Sequence, residues 1–95
     1  MVEQGDVLKV EGINFPVVVV SNNRTNTSNQ VIVCPIMQTT DKYTLIVPID
    51  GDRCVISDKI KQLDLDQRSY SVKSNIGFTK VMLVVDQVQA MLDYF

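Results

Sequence analysis

The sequence predicts a mainly β domain with a C-terminal helix, and three observations carry that expectation. Short β-branched runs recur, above all Val17-Val18-Val19-Val20 and Val31-Ile32-Val33. Val and Ile are stiff at χ1 and suit a pleated surface, so runs of this length read as strands packed on both faces. Turn-forming residues separate the runs, including Gly12-Ile13-Asn14 and Asp50-Gly51. Only beyond Thr79 do apolar residues keep a three-to-four spacing for long enough to favour a helix.

A first strand is expected from about Asp6 to Glu11, with Gly5 and Gly12 as its punctuation. Gly12-Ile13-Asn14 leads into a second strand from Phe15 to Ser21, with Pro16 at its start, where no ladder donor is needed. The polar run Asn22 to Gln30 reads as a surface connection into a third strand, Val31 to Ile36. Met37 to Lys42 is a short polar link to a fourth strand, Tyr43 to Ile49. Asp50-Gly51 turns that strand into a fifth, Arg53 to Ile56. For Ser57 to Asp64 two readings stand. Ile60 and Leu63, three apart behind a capping Ser57, suit a helical turn, and a strand continuation suits them nearly as well. Tyr70 to Phe78 reads as a last strand interrupted at Ser74-Asn75. Thr79 then caps a helix from about Lys80 to Asp93, with Val81, Val84, Val85, Val88 and Leu92 on one buried face. Met82, Leu83 and Met91 widen that face, which calls for a second covering surface such as another subunit.

Ninety-five residues suffice for one compact domain, expected to span 1–95. Hydrophobic residues make up 45% of the chain and charged residues 21%, a globular balance rather than a disordered one. A net charge of -2 and a pI near 4.8 give no general attraction to nucleic acid, so any such role rests on a local patch. Without His and with two Cys there is no zinc set of the usual kind, and the commonest general base is missing. Cys34 and Cys54 fall in expected strands and read as buried free thiols. The first residues lack the basic and apolar parts of a secretory signal, so a reducing cytoplasm is the expected compartment, with no membrane association. There the acceptor patterns Asn23-Arg24-Thr25 and Asn26-Thr27-Ser28 would stay unglycosylated.

Four motifs, in order along most of the chain, resemble the MazF/PemK family of toxin endoribonucleases. They are Gln4-Gly5-Asp6-Val7, the run from Pro16 to Asn22, the run from Val31 to Ile36, and the run from Ser57 to Asp64. The resemblance implies an SH3-like small β-barrel of the MazF/PemK/CcdB type with a C-terminal helix. It also implies a homodimer, an antitoxin protein as partner, and cleavage of single-stranded RNA with the 2′-hydroxyl as nucleophile and neither metal nor cofactor. The gyrase-poison branch of that fold, the CcdB type, depends on a Trp near its C-terminal end, and this chain has none.

The family places an Arg immediately before the proline of its second strand, and this chain has Phe15 there. It places a Thr or Ser shortly after the proline of its third strand, and Met37 and Gln38 stand in the aligned places. Developing charge on a pentacoordinate phosphate needs a fixed cation or donor, which neither Phe nor Met supplies. Candidate catalytic substitutes are Arg24, Thr39 and Thr40. The resemblance assigns base contacts to Asp58 and Lys59, and Asn22 at the end of the second strand and Arg53 at the edge of the fifth join them as RNA-binding candidates. Tyr43 and Tyr70 are candidates for stacking on bases. The family's longer first connection, which covers the substrate, is reduced here to Gly12-Ile13-Asn14. The alternative function is therefore a catalytically inactive module that binds an antitoxin-like protein or RNA.

Overall fold

A computed structural model describes residues 1–40 and 42–92. Among the described residues seven strands, a short helix and a C-terminal helix follow one another: β1 (Asp6–Val10), β2 (Val17–Val19), α1 (Asn23–Asn26), β3 (Gln30–Gln38), β4 (Ile46–Asp50), β5 (Arg53–Ile56), β6 (Lys61–Asp64), β7 (Tyr70–Asn75) and α2 (Phe78–Met91). The strands pair in the order β4-β5-β3-β2-β1-β7, and β6 joins β3 beside that path. All the pairings are antiparallel. The mainly β architecture with a terminal helix is the one the sequence implies.

The long strand β3 organises the sheet. Its residues Val33–Pro35 pair with β2 on one edge, while on the other edge Gln30–Val33 take β6 and Ile36–Gln38 take β5. Because successive side chains point to opposite faces, the valine run of β2 is shared between two cores. Val17 and Val19 join Leu8, Val10, Val31, Val33 and Leu63 on one side. Val18 and Val20 join Val7, Ile36, Val47, Val55 and, from α2, Val84 on the other. Burying each such side chain contributes about 1.5–3 kcal/mol relative to exposure, which is why a run without polar alternation is stable here. Cys34 and Cys54 are buried free thiols. Desolvation, helped by the nearby Asp58 carboxylate, pushes the Cys34 thiol up to about 12, so it stays protonated and unreactive.

Several expectations are corrected. The connection from Asn22 to Gln30 contains the short helix α1, capped by Asn22, whose side chain accepts from the Thr25 amide at 2.9 Å. This connection is not wholly on the surface. Asn26 is fully buried, donating to the Ser21 carbonyl at 3.0 Å and accepting from the Ser21 hydroxyl, which itself accepts from the Ile32 amide. A polar side chain enters the interior because its hydrogen bonds are made there. Ser57 to Asp64 forms no helical turn. Ladder bonds to β3 draw Lys61–Asp64 into a strand, which is the alternative left open by the sequence, and a 3₁₀ turn follows at Leu65–Gln67. Ser57 is buried, with its hydroxyl unpartnered, and caps nothing. The fourth strand begins at Ile46, so Tyr43 precedes it.

The start of α2 also differs. Phe78 belongs to the helix rather than to β7, and Thr79 lies inside the first turn, so it is not the cap. Gly77, with φ of 90°, occupies the cap position, and its amide donates to the Asn75 side chain at 2.7 Å. Val81 and Val84 are buried as expected, but Leu92 is 67% exposed and Leu83 51% exposed. The expected helix end at Asp93 lies outside the described residues. None of the helices is long and apolar enough to cross a membrane among the described residues.

Asn75 also donates to the Gln4 carbonyl and to Asp6, fixing the loop before β1 against the end of β7. Gly5 lies under this clasp with φ of 93°, and a Cβ there would stand 2.9 Å from the Asn75 side-chain oxygen. Gly5→Ala is expected to cost about 1–3 kcal/mol, because it combines a left-handed backbone with displacement of a hydrogen-bonded side chain. A lowered midpoint of chemical unfolding checks this, and an unchanged midpoint would show that the clasp yields freely.

Candidate functional site

The two positions flanking the strand prolines, Phe15 and Met37, line the same recess. The cause is the β2–β3 register, which sets Val17 opposite Pro35, and the Ile36 amide closes the end of the ladder by donating to the Pro16 carbonyl at 2.9 Å. The recess has a volume of about 430 Å³ and opens on the face that carries Val17 and Val33. Its walls include Ile13, Phe15, Met37, Tyr43, Lys59 and Lys61. Phe15 is exposed at 39% despite its apolar ring. The Tyr43 hydroxyl donates to the Met37 sulfur at 3.6 Å, and the Lys59 ammonium stands 5.8 Å from the centre of the Tyr43 ring. A cation over an aromatic face is attracted by the ring quadrupole, so Lys59 is held at the rim. An apolar floor with the exposed Phe15 ring, the half-buried Tyr43 ring and two ammonium groups suits unstacked bases joined by phosphates.

A second recess, of about 220 Å³, adjoins the first and shares Ile13 and Phe15 with it. Its charged walls are Lys9, Arg53 and Lys73. Of the nine Lys and Arg in the chain, these three with Lys59 and Lys61 make five, gathered around one short connection in a protein of net negative charge. Local attraction for a polyanion therefore exists despite the acidic pI. Arg53 is engaged with Asp50 through two hydrogen bonds of 2.9 and 2.7 Å. Those bonds hold the Asp50 carboxyl below its usual range, so the pair persists at neutral pH and is lost as pH falls through that lowered value. The short first connection, Gly12-Ile13-Asn14, is tightened by the Ile13 amide on the Val10 carbonyl at 3.1 Å and contributes Ile13 to the walls of both recesses.

The candidates named from sequence do not form one constellation within the protomer. Lys59 lines the first recess and Arg53 the second. Asp58 is exposed next to Lys59 but lines neither. Asn22 spends its side chain on the α1 cap, and Arg24 is exposed on that helix, beside the start of β3. Thr39 and Thr40 follow the end of β3, where the Thr39 amide donates to the Asp52 carbonyl at 2.6 Å and the Thr40 hydroxyl accepts from the Lys42 amide at 2.9 Å. A nine-residue strand spans about 26 Å, so Arg24 is separated from Thr39 and Thr40 by the length of β3. Tyr43 is in the first recess, whereas Tyr70 lies on the edge strand β7. Lys61, Lys9 and Lys73 are the residues that sequence reasoning missed. Strand alternation could have put Lys59 and Lys61 together had the strand reading of that segment been preferred.

Comparison with known proteins adds the family. A family model described as PemK-like, MazF-like toxin of type II toxin-antitoxin system matches residues 5–92. No curated protein matches by sequence. Among solved structures, a MazE-MazF crystal structure (Form-I) from Deinococcus radiodurans is similar with a TM-score of 0.84 at 16% identity, covering 96% of this chain and 95% of that one. A MazF crystal structure (Form-I) from the same organism gives a TM-score of 0.78 at 16% identity, with 96% of each chain covered.

Proposed function

We propose that this chain, which belongs to the PemK-like, MazF-like toxin family of type II toxin-antitoxin systems, holds single-stranded RNA in the recess between Phe15 and Met37 and cuts it without a metal. The observation that carries this reading is the recess itself. It brings together the two positions to which the family resemblance assigns chemistry, and lines them with Tyr43, Lys59 and Lys61. In the reaction, the RNA 2′-oxygen forms a bond to the adjacent phosphorus while the bond to the 5′-oxygen breaks. The hydroxyl proton passes to water, and the departing oxygen takes a proton from water. Lys59 supplies the fixed positive charge that the family otherwise obtains from Arg.

The partner is an antitoxin that competes for the same cations, a reading supported by the likeness to MazE-MazF structures. The toxin works as a homodimer in the cytoplasm. An apolar recess of about 170 Å³ between Ile32, Ile60, Val85, Val88 and Leu92 supports a self-association surface. A second reading, a non-catalytic module for RNA or an antitoxin-like protein, is favoured by one observation: Phe15 and Met37 are apolar. Incubating the purified protein with a long unstructured RNA in chelator separates the two. Fragmentation is expected, and intact RNA at high protein concentration would rule out cleavage.

A further inference from the structure

We propose that the second recess, between Lys9, Lys73 and Arg53, is a phosphate subsite for the same RNA strand, and that Phe15 is the stacking platform over which the strand crosses from one recess to the other. The inference rests on the RNA-binding reading above and extends it to Lys9, Arg53 and Lys73, which that reading does not use, while giving Phe15 a role in both recesses. Phe15 belongs to both recesses. The first opens on the face of the sheet that carries Val17 and Val33, and the second on the face that carries Val7. The connection between β1 and β2 is thus a ridge, with an exposed aromatic ring on it and cations on either side. Proteins that hold a single strand without reading its sequence combine these same elements, a cationic track and aromatic rings on which bases stack.

Lys73 reaches this place through a local irregularity. In the β1–β7 ladder Val7 pairs with Ser74 and Leu8 with Val72, so Lys73 is the extra residue of a bulge. Bulges re-aim side chains, and this one puts Lys73 in the recess with Lys9, which shares a face of β1 with Val7. Among the described residues the one ion pair is Arg53 with Asp50, so Lys9 and Lys73 keep their charge for a ligand. Among the described residues no carboxylate lines the second recess. An exposed ring beside the cations favours a base-bearing polyanion over an acidic peptide, whose carboxylates would leave Phe15 uncovered.

The test is binding of RNA of about four and about twelve nucleotides to the full chain in chelator, using 2′-deoxy-substituted strands that cannot be cut. The double variant Lys9→Ala, Lys73→Ala is expected to bind the long strand about tenfold more weakly, with a reduced salt dependence, and the short strand almost as tightly as the unmodified chain. Phe15→Leu is expected to weaken the long strand by a similar factor, and circular dichroism establishes that each variant is folded. Unchanged long-strand affinity in the lysine double variant, with loss in Lys59→Ala, overturns the subsite and leaves the RNA-binding reading standing. Absence of RNA binding by the unmodified chain removes both. Loss of binding of a poly-glutamate peptide in the double variant, with RNA affinity unaffected, overturns the subsite in favour of an acidic protein segment.

Discussion

If the chain cleaves RNA as proposed, Lys59→Ala is expected to lower the rate in chelator by about 10²-fold or more, a typical effect of removing a group that stabilises transition-state charge. The size follows from what surrounds the ammonium. With Phe15 and Met37 where the family resemblance implies a cation and a hydroxyl, Lys59 and Lys61 are, among the described residues, the charged ones lining the first recess. Lys59 also stands 5.8 Å from the centre of the Tyr43 ring, whose face attracts a cation. Lys59→Arg should retain most of the rate, because a guanidinium keeps the charge and also stacks on aromatic faces. Arg68→Ala serves as the control. Arg68 is a cation of the same charge lining a separate recess with Glu11, Gln62 and Asp64, and its loss should leave the rate within about twofold, since remote surface charges are screened. Equal losses in Lys59→Ala and Arg68→Ala would mean that overall charge, and not a site, drives binding.

Leu8→Ala destabilises the fold by about 3 kcal/mol and lowers its melting temperature by about 15 °C. Leu8 is completely buried in the core formed by Val10, Val17, Val19, Val31, Val33 and Leu63. Its truncation removes the transfer free energy of the lost methyl groups and leaves a cavity bounded by β-branched side chains that are stiff at χ1 and close in poorly. A domain of this length has only a modest reserve of stability, so the loss is a large part of the total. Phe15→Ala should cost much less despite removing a larger side chain, because the ring is 39% exposed. Calorimetry on both variants checks the contrast, and comparable losses would mean that Phe15 is a core residue instead of a surface platform.

How much of this was legible in the sequence depended on whether the determining interactions are local. The Val17–Val20 run announces a strand buried on both faces, whereas Val31–Val33 is buried only at its two valines and leaves Ile32 37% exposed, so that run marks a strand but not its burial on both faces. Asp50-Gly51 announces the hairpin after β4 through its own backbone preference. The segment from Ser57 to Asp64 was ambiguous. Ile60 and Leu63 fit a helical spacing as well as a strand, and what decides between them is the ladder with Gln30–Val33, thirty residues away in sequence. Asn26 was misplaced for a similar reason. Nothing in a run of Asn, Thr and Ser says that one amide will be buried against the Ser21 hydroxyl and carbonyl.

The site divides in the same way. Phe15 and Met37 were recognisable as a pair from the two prolines, and the register brings them together. Lys61 depended on the strand reading of its segment, and Lys73 on a bulge that leaves no mark in composition. Arg24 is a candidate by its charge alone, and Thr39 and Thr40 by lying just beyond the positions aligned with the family's Thr or Ser; the length of β3 separates the two groups.

The central claim is that single-stranded RNA occupies the recess at Phe15 and Met37, and backbone amide chemical shifts recorded while titrating an unstructured, uncleavable RNA test it most directly. The predicted result is a set of saturable shifts centred on Ile13, Phe15, Met37, Tyr43, Lys59 and Lys61. Shifts centred instead on the recess of Glu11, Gln62, Gln67 and Arg68, or no saturable shift at all, would contradict it.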